Sequence, residues 1–245
     1  MAGSQTQRHI IETRAITQVA EFAEAVRLQK LIWGFEETEL IPVRLFVTAA
    51  KIGGQVFGAF EGDRMIGFCL SIPGIKPGGK MYLHSHMLGV VEEYRNSGIG
   101  RMLKLEQRAD ALARGIPLIE WTFDPLEIKN ARFNIERLGA IVRRFVLNQY
   151  GTTSSPLHGG LPTDRCIAEW WLASPRVEAI LAGRTPHRPA IAARITVPAD
   201  PPRTRELQRR LSDAFVGHFS KGLAVVGFEC AGEAGTYLLA PWQSE

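Results

Sequence analysis

Apolar positions recur along this chain with two periods, and the switches between them predict its elements. Residues 8–16, RHIIETRAI, read as a strand. Over 17–34, Val19, Phe22, Val26, Leu28 and Ile32 return at near-helical spacing, with Thr17 placed to cap that helix and Gly34 to stop it. Pro42 opens a short second helix over 42–51. Strands at 54–61 and 64–73 flank Gly62-Asp63, a two-residue hairpin signal, and a third strand covers 81–91. From 98 to 114 the period is helical again, with Ile99, Met102, Leu103, Ala109 and Leu112 on one side, and Gly115 and Pro117 end the run. A short strand at 118–124 follows at once. Strand, helix and strand over 81–124 make a crossover, which sets the two strands parallel. A helix over 130–139, a strand over 140–150, a loop over 151–163 and a strand over 165–172 complete this block. Near residue 174 the composition shifts to a Pro-containing linker, then a helix over 203–222 and two strands within 223–241. The expected organisation is an α/β (α+β) core over 10–173 and a C-terminal extension over 174–245.

Composition narrows the class. With 45% hydrophobic and 22% charged residues, the chain has the balance of a globular protein with a sizeable core. No apolar run approaches membrane-spanning length, and the first ten residues have no secretory apolar segment, so a cytoplasmic protein with no membrane partner is expected. Cys69, Cys166 and Cys230 lie far apart and form no metal-binding or disulfide pattern, so no metal is expected. A net charge of +4 is too mild to imply a nucleic-acid partner. The basic cluster Arg203, Arg205, Arg209 and Arg210 is interrupted by Glu206 and reads as a solvated helix face.

The chemically loaded stretch is RNSGIG, residues 95–100, between a strand and a long helix. Amides at a helix N-terminus lack intrahelical partners and the helix dipole is positive there, so such a turn suits an anion. Gly98 and Gly100 let the backbone approach that anion closely, and Arg95 and Arg101 add positive charge at the rim. A plain tight turn with a helix cap is the alternative. GxxxxGK[ST] is absent because Arg101 and Met102 follow Gly100, and GxGxxG fails at Leu103.

At these residues the chain resembles the GNAT superfamily of acyl-CoA-dependent N-acyltransferases. Arg95, Gly98 and Gly100 match its [QR]-x-x-G-x-[GA] signature, and Asn130, Ala131, Leu138 and Gly139 resemble its N-x-x-A…LGF segment. The similarity covers about 10–173. The segments 124–140 and 160–165 also resemble a bacterial branch of that superfamily, some of whose members are amino-acid N-acyltransferases. The resemblance implies a mixed, largely antiparallel sheet with a splayed parallel strand pair flanked by helices, the extension adding a helix and a hairpin. It implies acetyl-CoA or another short acyl-CoA as co-substrate and a small-molecule amine as acceptor, with assembly as a homodimer left open. Amides near Met87, Leu88 and Val90 would pair with pantetheine. Those of Asn96, Ser97, Gly98, Ile99, Gly100 and Arg101 would hold the diphosphate, and Asn130 would bond the pantetheine arm or the acyl end.

Amine acylation needs a base, an oxyanion donor and a route for the leaving thiolate. The resemblance puts the oxyanion donor at an amide near Met87 or Leu88. Strand alternation places Tyr82, His84, His86 and Leu88 on one face, and His86 is closest to the expected gap. His86 is the first candidate base; a strand histidine bonding a neighbour is the alternative. Glu120 and Asp124 compete for the role, although Asp124 also suits a helix cap. Ile135 occupies the position at which many GNAT enzymes carry an acid tyrosine, which leaves Tyr150 as a candidate proton donor. That gap also keeps open an acyl-CoA-binding module without turnover. Arg165, at the end of the long loop, is the candidate ligand for an acceptor carboxylate, with His84 and His86 adding partial positive charge nearby; a surface pair with Asp164 is the alternative.

Overall fold

The computed structural model describes residues 10–156 and 159–242. Its strands are β1 Ile11–Ala15, β2 Gln55–Glu61, β3 Arg64–Ile75, β4 Met81–Val90, β5 Leu118–Phe123, β6 Ile141–Val146, β7 Arg165–Trp171, β8 Ala193–Pro198, β9 Leu223–Ala231 and β10 Ala234–Pro241. Its helices are α1 Val19–Trp33, α2 Val43–Lys51, α3 Ile99–Ala113, α4 Ile128–Arg132, α5 Pro175–Leu181 and α6 Arg205–Phe219. All ten strands form one sheet in the order β1-β2-β3-β4-β5-β7-β6-β9-β10-β8. Among the described residues only β4 and β5 pair in parallel, as the crossover through α3 requires.

Local chemistry explains most boundaries. Gly34 ends α1 at φ 67°, a left-handed conformation that glycine adopts without strain. At the other end the Glu21 carboxylate accepts the amides of Thr17 and Gln18, so Glu21, and not the Thr17 side chain, caps the helix. The helices α1 and α2 cover one face of β2, β3 and β4, and α3 covers the other. Successive β4 residues display this: Leu88 lies under Gly100 of α3, whereas Gly89 faces Ile32 and Trp33 of α1. The buried side of α3 is Ile99, Leu103, Lys104, Gln107 and Ala111. Ala109, expected on that stripe, is exposed.

Two elements depart from the sequence reading of a linker. Pro175 sits at the first position of α5, and the Ser174 hydroxyl accepts the Val177 amide at 3.4 Å. β8 is an edge strand with only Ile195 and Val197 buried, a weak apolar signal beside a Pro-rich tract. The strand expected over 140–150 stops at Val146, and residues 147–151 lie back against 163–164, with the Gln149 amide donating to Thr163 O at 2.9 Å. Near residue 174 there is no break in the interior. One apolar cluster joins Trp121 and Trp170 to Val177 of α5, Phe215 of α6, Val225 of β9 and Tyr237 of β10.

Candidate active site

The sheet opens where the parallel pair ends. β4 and β5 are in register only at Leu83–Ile119 and His84–Glu120; past them the β5-facing edge of β4 has no strand partner. A β-bulge at His86 follows, since Ser71 faces Ser85 while its neighbour Leu70 faces Met87. The extra residue shifts the alternation. Ser85 faces α3, His84 faces the other way, and Leu88 returns to the α3 side, so Leu88 does not share the histidine face as strict alternation predicts. The helix that starts as α4 widens into a π-turn over Phe133–Arg137, packed against β9 and α5, with fully buried Ile135 inside it.

Above the gap lies the glycine turn. Asn96 is left-handed at φ 64° and Gly98 at φ 93°. A Cβ at Gly98 would meet nothing within 4 Å, and one at Gly100 would meet only Leu88 Cδ2, at 3.5 Å. Among the described residues, the amides of 96–100 donate to no carbonyl of the chain, whereas that of Arg101 donates to Gly98 O at 3.0 Å. The cradle is therefore five amides long, and Arg101 is left out of the expected set. The Arg95 guanidinium reaches back to Val90 O and Ile32 O, both at 3.5 Å, and so ties the turn to β4 and α1. Asn130 is exposed on the short α4. These open, unpaired donors at the head of a 15-residue helix fit a diphosphate.

On the face away from α3 the structure gathers most of the expected catalytic residues. The imidazoles of His84 and His86 are 6.0 Å apart, and neither has a hydrogen bond among the described residues. Burial, then His86, Lys104 and Lys76, push the His84 pKa down to about 4; burial alone lowers that of His86. Both rings are consequently neutral near pH 7, which corrects the expectation of partial positive charge at this point. A neutral imidazole still accepts a proton. Glu120, beside His84, is buried and held on both oxygens, Oε2 by Lys76 Nζ at 2.6 Å and Oε1 by Arg144. Asp124 is occupied too: Oδ1 accepts the Leu126 amide at 2.8 Å and Oδ2 meets Arg203. The Tyr150 hydroxyl is 3.0 Å from Thr122 Oγ1 on the splayed part of β5.

Arg165 is not displayed at a loop end. It is 8% exposed, with its guanidinium 3.8 Å from Asp124. Burial lowers its pKa from the ordinary arginine value. Asp164 does not serve as its surface partner; its carboxylate accepts the Asn148 amide and the Ser212 hydroxyl of α6. The loop that precedes Arg165 reaches across to the α1–α2 link, where Ser155 Oγ donates to Trp33 O at 2.7 Å and the Ser154 amide to Glu39 at 3.0 Å. The extension contributes as well, since Arg203 bridges Asp124 and Glu127.

Lys104 has no place in the sequence reading and stands at the vertex of the gap. It is 3% exposed, donates to Ser85 Oγ at 2.8 Å and lies 3.8 Å over the Trp121 ring. Burial pulls its pKa down to about 7, offset only by Cys69. The one sequence signal for it was a lysine set beside Leu103 on the buried stripe of α3. Among the described residues no cluster of three or more His, Cys, Asp or Glu is arranged for a metal, and no helix is long and apolar enough to cross a membrane.

The profile of the Acetyltransferase (GNAT) family matches residues 22–139. Solved structures with the same fold include NAA60 of Arabidopsis thaliana in complex with acetyl-CoA, at 15% identity and TM-score 0.56, covering 67% of this chain and 100% of that one. A second is yncA of Salmonella typhimurium with its cofactor acetyl-CoA, at 16% identity and TM-score 0.54, covering 67% and 97%. A third is an acetyltransferase of the GNAT family from Streptococcus pneumoniae, at 14% identity and TM-score 0.53, covering 65% and 98%. No curated protein matches the chain.

Proposed function

Residues 22–139 match the profile of the GNAT family of acetyltransferases, and from that match we propose that this chain is an N-acyltransferase moving an acetyl or other short acyl group from acyl-CoA to a primary amine of a small molecule. The observation that carries the reading is the parting of β4 and β5 just beyond His84–Glu120, on the same strand–helix unit that presents five unpartnered amides. The cradle holds the diphosphate, and the unpaired edge of β4 beyond Ser85 receives the pantetheine arm, with Asn130 at the mouth. An amide at the β4 bulge, near Met87 or Leu88, stabilises the oxyanion. The acceptor enters from the opposite face, bounded by the histidines, Thr122, Tyr150 and the loop pinned to α1.

On that face His86 takes the acceptor proton. It is neutral near pH 7 and uncommitted, whereas Glu120 and Asp124 already serve cations and a turn amide. Arg165, buried against Asp124, shapes the acceptor wall by holding β7 to the β5 terminus, which moves the earlier carboxylate-binding role away from it. A fold that binds acyl-CoA without turnover is the competing reading, and buried Ile135 at the family's tyrosine position is its support.

Gly100→Val tests the cradle. The branched side chain crowds Leu88 below and the diphosphate above, so CoA affinity by calorimetry should fall tenfold or more, about 1.4 kcal/mol. Unchanged affinity in a folded variant would remove the phosphate reading. Release of free thiol from acetyl-CoA only when amino acids or polyamines are added separates turnover from simple binding.

A further inference from the structure

A lysine has been carried into the interior beside the gap and given less than it can bond. Its ammonium form has three donors, yet among the described residues Nζ reaches one acceptor, Ser85 Oγ, and that hydroxyl in turn donates to Gln107 Oε1 at 3.1 Å. Nζ lies over the Trp121 ring on β5, and its charge is felt by the Cys69 thiol on β3 and by His84 on the opposite face of β4. No carboxylate pairs with it: Glu106, on its own helix, bonds Thr13, and Asp110 bonds Gln55 and Arg114. Burying an amine in this way is costly unless some other group completes it.

Position says what that group is. Ser85 and Trp121 are the first residues of β4 and β5 past the last paired position, so Nζ spans the gap at the point where it opens. Five residue steps lead along β4 from Ser85 to Val90 below the cradle, about 17 Å at ~3.3 Å per residue. An arm anchored by its diphosphate above and extended along β4 would bring its sulfur to this vertex. The family's tyrosine is replaced by Ile135, and the Tyr150 hydroxyl lies on the far face against Thr122.

We propose that Lys104 is the acid that protonates the departing CoA thiolate. This rests on the acyl-CoA reading above. As the nitrogen of a neutral amine bonds the acyl carbon, the C–S bond breaks with its electron pair on sulfur, and the proton on Nζ moves to that sulfur. Lys104 is left as a neutral amine. The one proton that the acceptor nitrogen loses balances the one that Lys104 gives, returning to it through solvent as products leave. The lowered pKa of about 7 suits this cycle, because both forms are populated at neutral pH.

CoA itself is the probe, so the test needs no known acceptor. The thiol of bound CoA is titrated by thiolate absorbance in wild type, Lys104→Met and Tyr150→Phe. An ammonium beside the sulfur should lower the bound thiol pKa by about one unit or more in wild type and Tyr150→Phe, and Lys104→Met should abolish that shift while still binding CoA. The same thiol titration in wild type and Lys104→Met would overturn the proposal while leaving the acyl-CoA reading intact. Absence of CoA binding in wild type would overturn both. An independent reading comes from 13C-labelled lysine ε-carbons in the wild-type protein: one should titrate near neutrality and move to higher pH when CoA binds. Lysines that all titrate near the ordinary ~10.4 would overturn it as well.

Discussion

On the two faces of the sheet, the ends of the parallel pair meet charge in opposite ways. Away from α3, Glu120 and Glu169 are buried, and Lys76, Arg143 and Arg144 close around them, with Glu169 Oε2 2.6 Å from Arg143 and the Trp171 indole donating to it at 3.3 Å. Both of these buried carboxylates have cations against them. On the α3 side, Lys104 heads a chain of neutral groups, Ser85, Gln107, Ser71 and Gln55, that satisfy one another and provide no counter-charge. Both clusters are buried and polar, and both lie within one residue of the gap. The paired cluster fixes strand positions, because moving any member strands a buried charge. The unpaired lysine keeps bonding capacity in reserve, which is what a group that must meet a transient anion requires.

If that contrast holds, removing one buried charge from each side should change stability with opposite sign. Lys104→Met deletes a penalty. The folded pKa of about 7 lies below the ordinary 10.5, so between those values the unfolded chain binds more protons and wild-type stability rises with pH. The variant should be the more stable protein at neutral pH, its advantage shrinking by about 1.4 kcal/mol per pH unit towards pH 10. Urea midpoints across that range read this directly, and a constant offset would mean that Lys104 is not buried uncompensated.

Glu120→Ala should act the other way and lose about 2 kcal/mol at neutral pH, less than for a fully buried pair because Arg144 is 43% and Lys76 27% exposed on their side chains. A gain in stability would show that the paired cluster is as strained as the lysine. The smallest effect belongs to His84, which touches both regions, being repelled by Lys104 from one side and Lys76 from the other. Its folded pKa of about 4 lies below 6.5, so its contribution falls away as pH drops from 6.5 towards 4. His84→Gln should flatten the wild-type loss of stability in that window, by less than about 1.4 kcal/mol per pH unit, and leave stability above pH 7 unchanged.

Much of this was legible because it is local. The helix stops at Gly34 and Gly115, the Gly62 hairpin and the parallel crossover all follow from periodicity and turn chemistry, and each is present. The open amides of the glycine turn were readable for the same reason: they belong to consecutive residues. The sequence reading of a linker after residue 174 missed two elements where local signals are weakest. α5 has seven residues, and β8 at the sheet edge has only two buried side chains.

By itself, the sequence determined the order of elements up to residue 174, the parallel pair and the glycine turn at the head of α3, all matters of backbone geometry within a few residues. Tertiary structure alone decided which charges are spent. Asp124 looked like a base until Arg203, 79 residues away, came to lie against it. Arg165 looked displayed until the loop before it folded over onto α1. One bulge at His86 moved Leu88 to the opposite face, and the packing of α3 over the vertex of the gap turned an ordinary-looking lysine into the group with the most to gain from a ligand. Period and propensity are sums over neighbours in the chain, whereas the cost of a charge depends on which distant segments exclude water from it and whether any of them brings the opposite charge.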